Sequence, residues 1–147
     1  MTRARKTPGR IAFVGSGPGD AGLLTVRAKH LLNHASLVVT DPDVPADIAA
    51  HASDGAEVRP AVGEPGDVAK DLANEAKTGR PVVRLVSGDP LTAAAVVREV
   101  REVSETGVAF DVVPGVAAGT AVPTYAGVAL GGQHTEVDVR GDVDWSA

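Results

Sequence analysis

Ile11-Ala12-Phe13-Val14-Gly15-Ser16-Gly17-Pro18-Gly19-Asp20 decides how this chain is read. Four apolar residues in succession suit a strand buried on both faces. The run empties into a Gly/Pro turn. A helical pattern follows, with Thr25 as N-cap and Ala28, Leu31, Leu32 and Ala35 at helical spacing. Strand, turn and helix in that order open an α/β unit, in which ligands bind beyond the carboxyl ends of the strands. Glycines there let the backbone approach a ligand closely, and Pro18 stiffens the loop.

The unit recurs along the chain. Leu37-Val38-Val39-Thr40 reads as a second strand ending at Asp41-Pro42-Asp43, with a short helix over 46–51. A third strand is expected over 57–61 and a helix over 67–78, stopped by Gly79. The β-branched run 81–86 is the fourth strand, and 91–105 carries the best helical pattern. Residues 110–113 form a fifth strand, and a helix opens over 115–121 and is interrupted at Pro123. The expected fold class is α/β, a mostly parallel sheet of about five strands flanked by helices. After Leu130, Gly131-Gly132 reads as a linker, 135–140 alternates like a new strand, and Asp144 suits the cap of a helix from Trp145. The expected organisation is a disordered basic arm over 1–10, an α/β domain over 11–130, and a linker with the truncated start of a second domain over 131–147. The plain alternative for the last stretch is a frayed tail.

Composition narrows the function. The 147 residues suit one domain, or one domain and part of another. Net charge is −5, against a broad basic surface for nucleic acid, and aromatics at 3% leave little for base stacking. With no cysteine there is no disulfide, thiolate metal site or cysteine nucleophile. His30 and His34 stand four apart on a helix, a spacing that lets two imidazoles share a metal. No third ligand is near in sequence, so a solvated face is the stronger reading and no metal is expected. The N-terminus lacks the apolar core of a signal peptide, and no apolar run is long enough to span a membrane. The expected location is the cytoplasm, with neither a nucleic-acid nor a membrane partner.

Several motifs carry a structural and a functional reading together. Gly17-x-Gly19-x-x-Gly22, with Asp41 about 20 residues on, matches the dinucleotide fingerprint. In a true fingerprint the helix opens within the glycines and points its N-terminus at the pyrophosphate. Here the N-cap is Thr25, beyond all three, so the match is weak. Gly88-Asp89-Pro90 follows the strongest strand. Asp89 suits a cap with Pro90 in the first helical position, and Gly88 with the Asp89 backbone suits the lining of a cleft. Val113-Pro114-Gly115-Val116 repeats the arrangement after strand five. Three Gly/Pro turns at three strand ends predict one composite pocket. Tyr125 reads as a packing residue, and Asp41 and Asp43 as turn residues, with a catalytic base the minority reading for either.

Taken together, the blocks Val14-Gly15-Ser16-Gly17-Pro18-Gly19-Asp20 with Leu23-Leu24-Thr25, Gly88-Asp89-Pro90, Val113-Pro114-Gly115-Val116 and Pro123-x-Tyr125-Ala126-Gly127-Val128 resemble the tetrapyrrole methylases. The resemblance is to their N-terminal domain, above all in the uroporphyrinogen-III C-methyltransferases, including forms fused to uroporphyrinogen-III synthase. It implies an enzyme of sirohaem and cobalamin biosynthesis that uses S-adenosylmethionine (SAM). It also implies a second α/β domain, missing here, a cofactor in the cleft between the domains, a tetrapyrrole substrate and a homodimer. By resemblance Pro18, Gly88, Asp89, Ala117 and Ala118 touch the cofactor, and Asp41 is a polar residue near the substrate. The chain departs from the family pattern at Asp41-Pro42, Glu64-Pro65, Leu91 to Ala95, Ala117-Ala118 and Gly131-Gly132-Gln133. Several departures replace cations or hydroxyls, so the cofactor loops keep the pattern better than the substrate side. Two rival readings remain: a degenerate methylase domain with a binding role only, and a Rossmann-type nucleotide-binding module.

Overall fold

Among the described residues five short strands run side by side in one direction. They are β1 (Ile11–Gly15), β2 (Leu37–Thr40), β3 (Glu57–Pro60), β4 (Val82–Val86) and β5 (Phe110–Val113). The structure, a computed structural model, describes residues 9–137, 139 and 142–146. Helices alternate with the strands: α1 (Val26–His34), α2 (Ala46–Ala49), α3 (Pro65–Lys77), α4 (Ala94–Glu105) and α5 (Ala118–Tyr125). The sheet order is β3-β2-β4-β1-β5 and every pairing is parallel, with Ile11 opposite both Val82 and Phe110.

Strand periodicity builds two cores from one sheet. Ile11, Phe13, Leu37, Val39, Val82 and Val86 face α3 and α4, meeting Val68, Leu72, Ala76, Val96 and Val103. Ala12, Val14, Val38, Val83 and Leu85 face the other way, onto Ala28 and Leu32 of α1 and Ile48 of α2. Each fully buried Leu, Ile or Phe contributes about 1.5–3 kcal/mol of transfer free energy, and Phe13, Ile11, Leu32, Leu37, Ile48, Leu72 and Leu85 are all under 2% exposed. Phe13 and Phe110 add an edge-to-face ring pair at 6.3 Å.

Local chemistry sets the helix ends. Thr25 Oγ1 accepts the Ala28 N–H at 3.1 Å and starts α1 where the sequence predicts. The third helix starts at Pro65, earlier than the expected 67, because proline in the first turn costs no hydrogen bond. The helix expected over 91–105 is broken. Pro90–Thr92 forms a 3-10 turn and Ala93 is extended before α4 begins. Asp89 is the cause: its carboxylate accepts the Leu91 N–H and its carbonyl accepts the Thr92 hydroxyl, closing a tight turn that stops the α pattern.

The last helix also departs from expectation. It begins at Ala118 and runs through Pro123, which was expected to interrupt it, with the Thr124 hydroxyl bonded to the Thr120 carbonyl in that turn. The stretch expected as a strand over 135–140 is irregular at 135–137 and 139, and Asp138 and Arg140 lie outside the described residues. Asp144 accepts the Ser146 N–H in a turn at Trp145, where a helix start was expected. The expected arm lies outside the described residues over 1–8. Among the described residues no helix is long and apolar enough to cross a membrane.

Candidate functional site

Because β4, β1 and β5 are neighbours, their carboxyl-terminal turns lie side by side. Gly17 and Gly88 exchange two backbone hydrogen bonds, at 3.2 and 3.0 Å, in an antiparallel bridge beyond the strands. Gly15, Gly88 and Gly115 pack backbone against backbone. A Cβ on Gly15 would stand 2.5 Å from both the Gly88 carbonyl oxygen and the Gly115 nitrogen, so no side chain fits there. Asp89 ties the turns together: one carboxylate oxygen accepts from Leu91 N–H at 3.1 Å, the other from Gly115 N–H at 3.2 Å. The three turns therefore meet at one sheet edge, as their positions after successive strands predict.

Beside this junction lies a cleft of about 500 Å³. Gly88, Asp89, Ala117 and Ala118 from the sequence-derived set line it. Ser87 and Thr92, which flank the Gly-Asp-Pro motif, line it too, with Asp43 from the turn after β2. Glu136, Val137 and Val139 complete the wall. Gly88 sits at φ +68°, and a Cβ built on it meets no described residue within 4 Å beyond its chain neighbours. A positive φ needs glycine, and here the open side of that glycine admits a ligand to the backbone. The Glu136 carboxylate lies over Gly119 in the first turn of α5, where a Cβ would overlap it. A negative group there is favoured by the helix terminus.

Two sequence-derived residues stand apart from the lining. Pro18 is half-buried in the β1 turn, outside the lining residues. Asp41, also outside them, has both oxygens engaged. One accepts from Arg84 Nη2 at 2.6 Å and the other from the Ser87 N–H at 3.2 Å. The dinucleotide reading fares poorly, because the Asp20 carboxylate caps the Gly22 N–H at 2.7 Å and α1 opens only at Val26. The His30 and His34 rings lie 4.3 Å apart with His34 Nδ1 on the His30 carbonyl. Among the described residues no three His, Asp or Glu side chains gather to hold a metal.

Beneath the junction is a charged cluster that the sequence reading passed over. Arg84, on β4, is 2% exposed. Its Nε and Nη2 donate to the two Glu99 oxygens of α4 at 2.8 and 3.0 Å. Burial opposes the charge on Arg84, but the bonds and charges of Glu99, then those of Asp41, outweigh it and raise the guanidinium pKa above its ordinary value. The signal was present in the sequence: a lone arginine inside an otherwise apolar strand, and Glu99 at a core position between Val96 and Val103. For Glu136, Val137 and Val139 no sequence signal placed them at the cleft.

Comparison with known proteins agrees with this arrangement. Residues 10–147 match the sequence profile of the Tetrapyrrole (Corrin/Porphyrin) Methylases. Siroheme synthase 1 of Pectobacterium atrosepticum is 39% identical over 130 residues, covering 83% of this chain and 27% of that protein. Uroporphyrinogen-III C-methyltransferase of Synechocystis sp. is 34% identical, covering 95% of this chain and 60% of that protein. The chain thus spans under two thirds of the length of these relatives. Uroporphyrin-III C-methyltransferase of Thermus thermophilus superposes with a TM-score of 0.77 at 30% identity, over 83% of this chain and 54% of that one. A crystal structure of the Thermus enzyme complexed with S-adenosyl homocysteine superposes at 0.66 with 38% identity, over 75% of this chain and 46% of that one. With the parallel sheet and the three converging turns, these matches establish that the chain belongs to the tetrapyrrole methylase family.

Proposed function

We propose that this chain supplies the cofactor-binding half of a SAM-dependent C-methyltransferase acting on uroporphyrinogen III. One observation carries the reading: the Gly17–Gly88 bridge and Gly115 form a side-chain-free floor beside a cleft lined by Gly88, Asp89, Ala117 and Ala118. A relative's structure with S-adenosyl homocysteine supports the choice of cofactor. SAM, when bound, supplies an electrophilic methyl on a sulfonium.

The chain's own residues bind and orient. Gly88 offers backbone polar groups at close range. Ala117 and Ala118 offer small apolar contacts. The carboxylates of Asp43, Asp89 and Glu136 give the cleft an acidic lining, which suits a cationic sulfonium. Holding methyl and ring carbon in line and excluding water supply the rate enhancement, with no metal required by the displacement itself. The same reading brings a second domain to close the cleft, pairs the protein into a homodimer and places it in the cytoplasm. Val122, Tyr125 and Val128, 60%, 71% and 56% exposed along and after α5, are apolar surface that such a neighbour would cover.

Calorimetry on the full-length protein with SAM, S-adenosyl homocysteine and NAD, paired with a methyl-transfer assay on uroporphyrinogen III, tests the proposal. Binding of the first two and transfer to the tetrapyrrole are expected. Binding without transfer would favour a degenerate methylase domain, and binding of NAD alone would favour a nucleotide module.

A further inference from the structure

The floor of the cleft rests on a hydrogen-bond chain that starts in a helix on the far side of β4. Glu99 on α4 holds Arg84 through both carboxylate oxygens. Arg84 Nη2 donates to one oxygen of Asp41, and the other accepts the Ser87 N–H. Arg84 Nη1 also reaches the Leu85 carbonyl at 3.1 Å. Ser87 precedes Gly88, whose N–H and carbonyl pair with Gly17. Two carboxylates share one guanidinium, so the cluster buries an excess negative charge. Packing does not require that arrangement. Buried ion pairs are often replaced by apolar residues of similar volume without loss of stability. What the cluster provides is direction. The planar guanidinium fork is fixed bidentately by Glu99, and that fixes where it presents its bond to Asp41.

We propose that Arg84 is a positioning residue for the cofactor: anchored by Glu99 it fixes Asp41, and Asp41 fixes the Ser87–Gly88 turn in the conformation that receives the ligand. The inference rests on the assignment of SAM to this cleft made above. Arg84 is not among the lining residues, and its hydrogen bonds go to Glu99, Leu85 and Asp41. It acts through Asp41, and Asp41 acts through one backbone N–H.

The test uses full-length protein and three variants: Asp41→Ala, Asp41→Asn, and Arg84→Met combined with Glu99→Leu. Three quantities are measured: melting temperature, amide exchange at Ser87 and Gly88 without ligand, and affinity for S-adenosyl homocysteine. Asp41→Ala leaves the Arg84–Glu99 pair balanced in charge, so the fold is retained. Exchange at Ser87 rises at least tenfold and affinity falls at least tenfold. Asp41→Asn keeps an oxygen for the Ser87 N–H but turns its amide N–H2 donor onto Arg84 Nη2, so the anchor is lost and both quantities move in the same direction as in Asp41→Ala, by at least threefold. The double variant melts close to wild type, yet loosens Ser87 and weakens binding because Asp41 has lost its anchor. A purely structural cluster predicts instead that affinity follows the melting temperature in every variant, and that result overturns the proposal. So does a folded Asp41→Ala protein with wild-type exchange and affinity, which decides the matter even where the double variant fails to fold. Wild-type protein that binds no S-adenosyl homocysteine would defeat the cleft assignment itself. Wild-type binding left unchanged by Asp41→Ala would defeat only the role of Arg84.

Discussion

Gly88→Val separates the two roles of one glycine. At φ +68° any residue with a Cβ is strained by about 1–2 kcal/mol, and a β-branched one stands at the upper end. For a domain of this size that lowers Tm by about 2–8 °C. Beyond its chain neighbours, no described residue lies within 4 Å of the added Cβ, so the branched side chain enters the cleft. A ligand that approaches the Gly88 backbone then meets two methyl groups, and affinity for S-adenosyl homocysteine falls at least tenfold, about 1.4 kcal/mol. Melting and calorimetry on the same purified variant read both effects. Gly88→Ala serves as an internal scale: similar strain with less bulk gives a comparable melting shift and a smaller loss of affinity. A lowered melting temperature with unchanged affinity would refute the reasoning and leave Gly88 a turn residue only.

Gly115→Ala behaves differently, because its methyl meets the backbone of Gly88 and Gly15, which no rotamer relieves; circular dichroism melts are expected to show a cost of about 3 kcal/mol or more. Thr25→Ala removes the cap on Ala28 N–H and lowers stability by about 1 kcal/mol, read as a reduced urea midpoint with unchanged m-value. Asp111 is held below the usual carboxylate range by its hydrogen bond from Arg10, opposed by partial burial and assisted by the charges of Arg10 and Arg27. A depressed folded-state pKa adds stability above about pH 4 and loses it as pH falls through the folded value. The gap in stability between wild type and Asp111→Asn is therefore small at pH 7, smaller in high salt, and shrinks as pH falls through the folded value. A gap that does not shrink on acidification would count against that pair.

The fold was legible because the apolar runs are short, uninterrupted and separated by glycine and proline. Ile11 to Val14 and Leu37 to Val39 admit little but buried strands. Thr25 was readable as a cap because its role is local. The break at Ala93 was not, since it depends on how Asp89 divides its carboxylate between Leu91 and Gly115 N–H groups far apart in sequence. The site shows the same division. Gly88 and Asp89 carry a motif, and they line the cleft. Ala117 and Ala118, placed by family resemblance, line the cleft, and so does Asp43, read first as a turn residue. Arg84 and Glu99 were overlooked because each breaks its element's apolar pattern alone, and only the packing of α4 on β4 brings them together. Glu136 belongs to a stretch whose alternation suggests a strand, yet it lies by the first turn of α5.

The place of β1 in the sheet has a consequence for how the protein is made. Ile11 to Val14 leave the ribosome before either strand they pair with, since Ile11 lies opposite Val82 on one side and Phe110 on the other. Such distant partners make loop closure slow and leave the early segment exposed meanwhile. Until Val82–Val86 has emerged, the chain thus carries an unpaired apolar segment, attractive to holdase chaperones and to other nascent copies. The later strand Val82–Val86, which flanks both β1 and β2, is the piece whose arrival ends that exposure. A translational pause before residue 82 would lengthen the vulnerable interval, and one after residue 113 would find the whole sheet able to close.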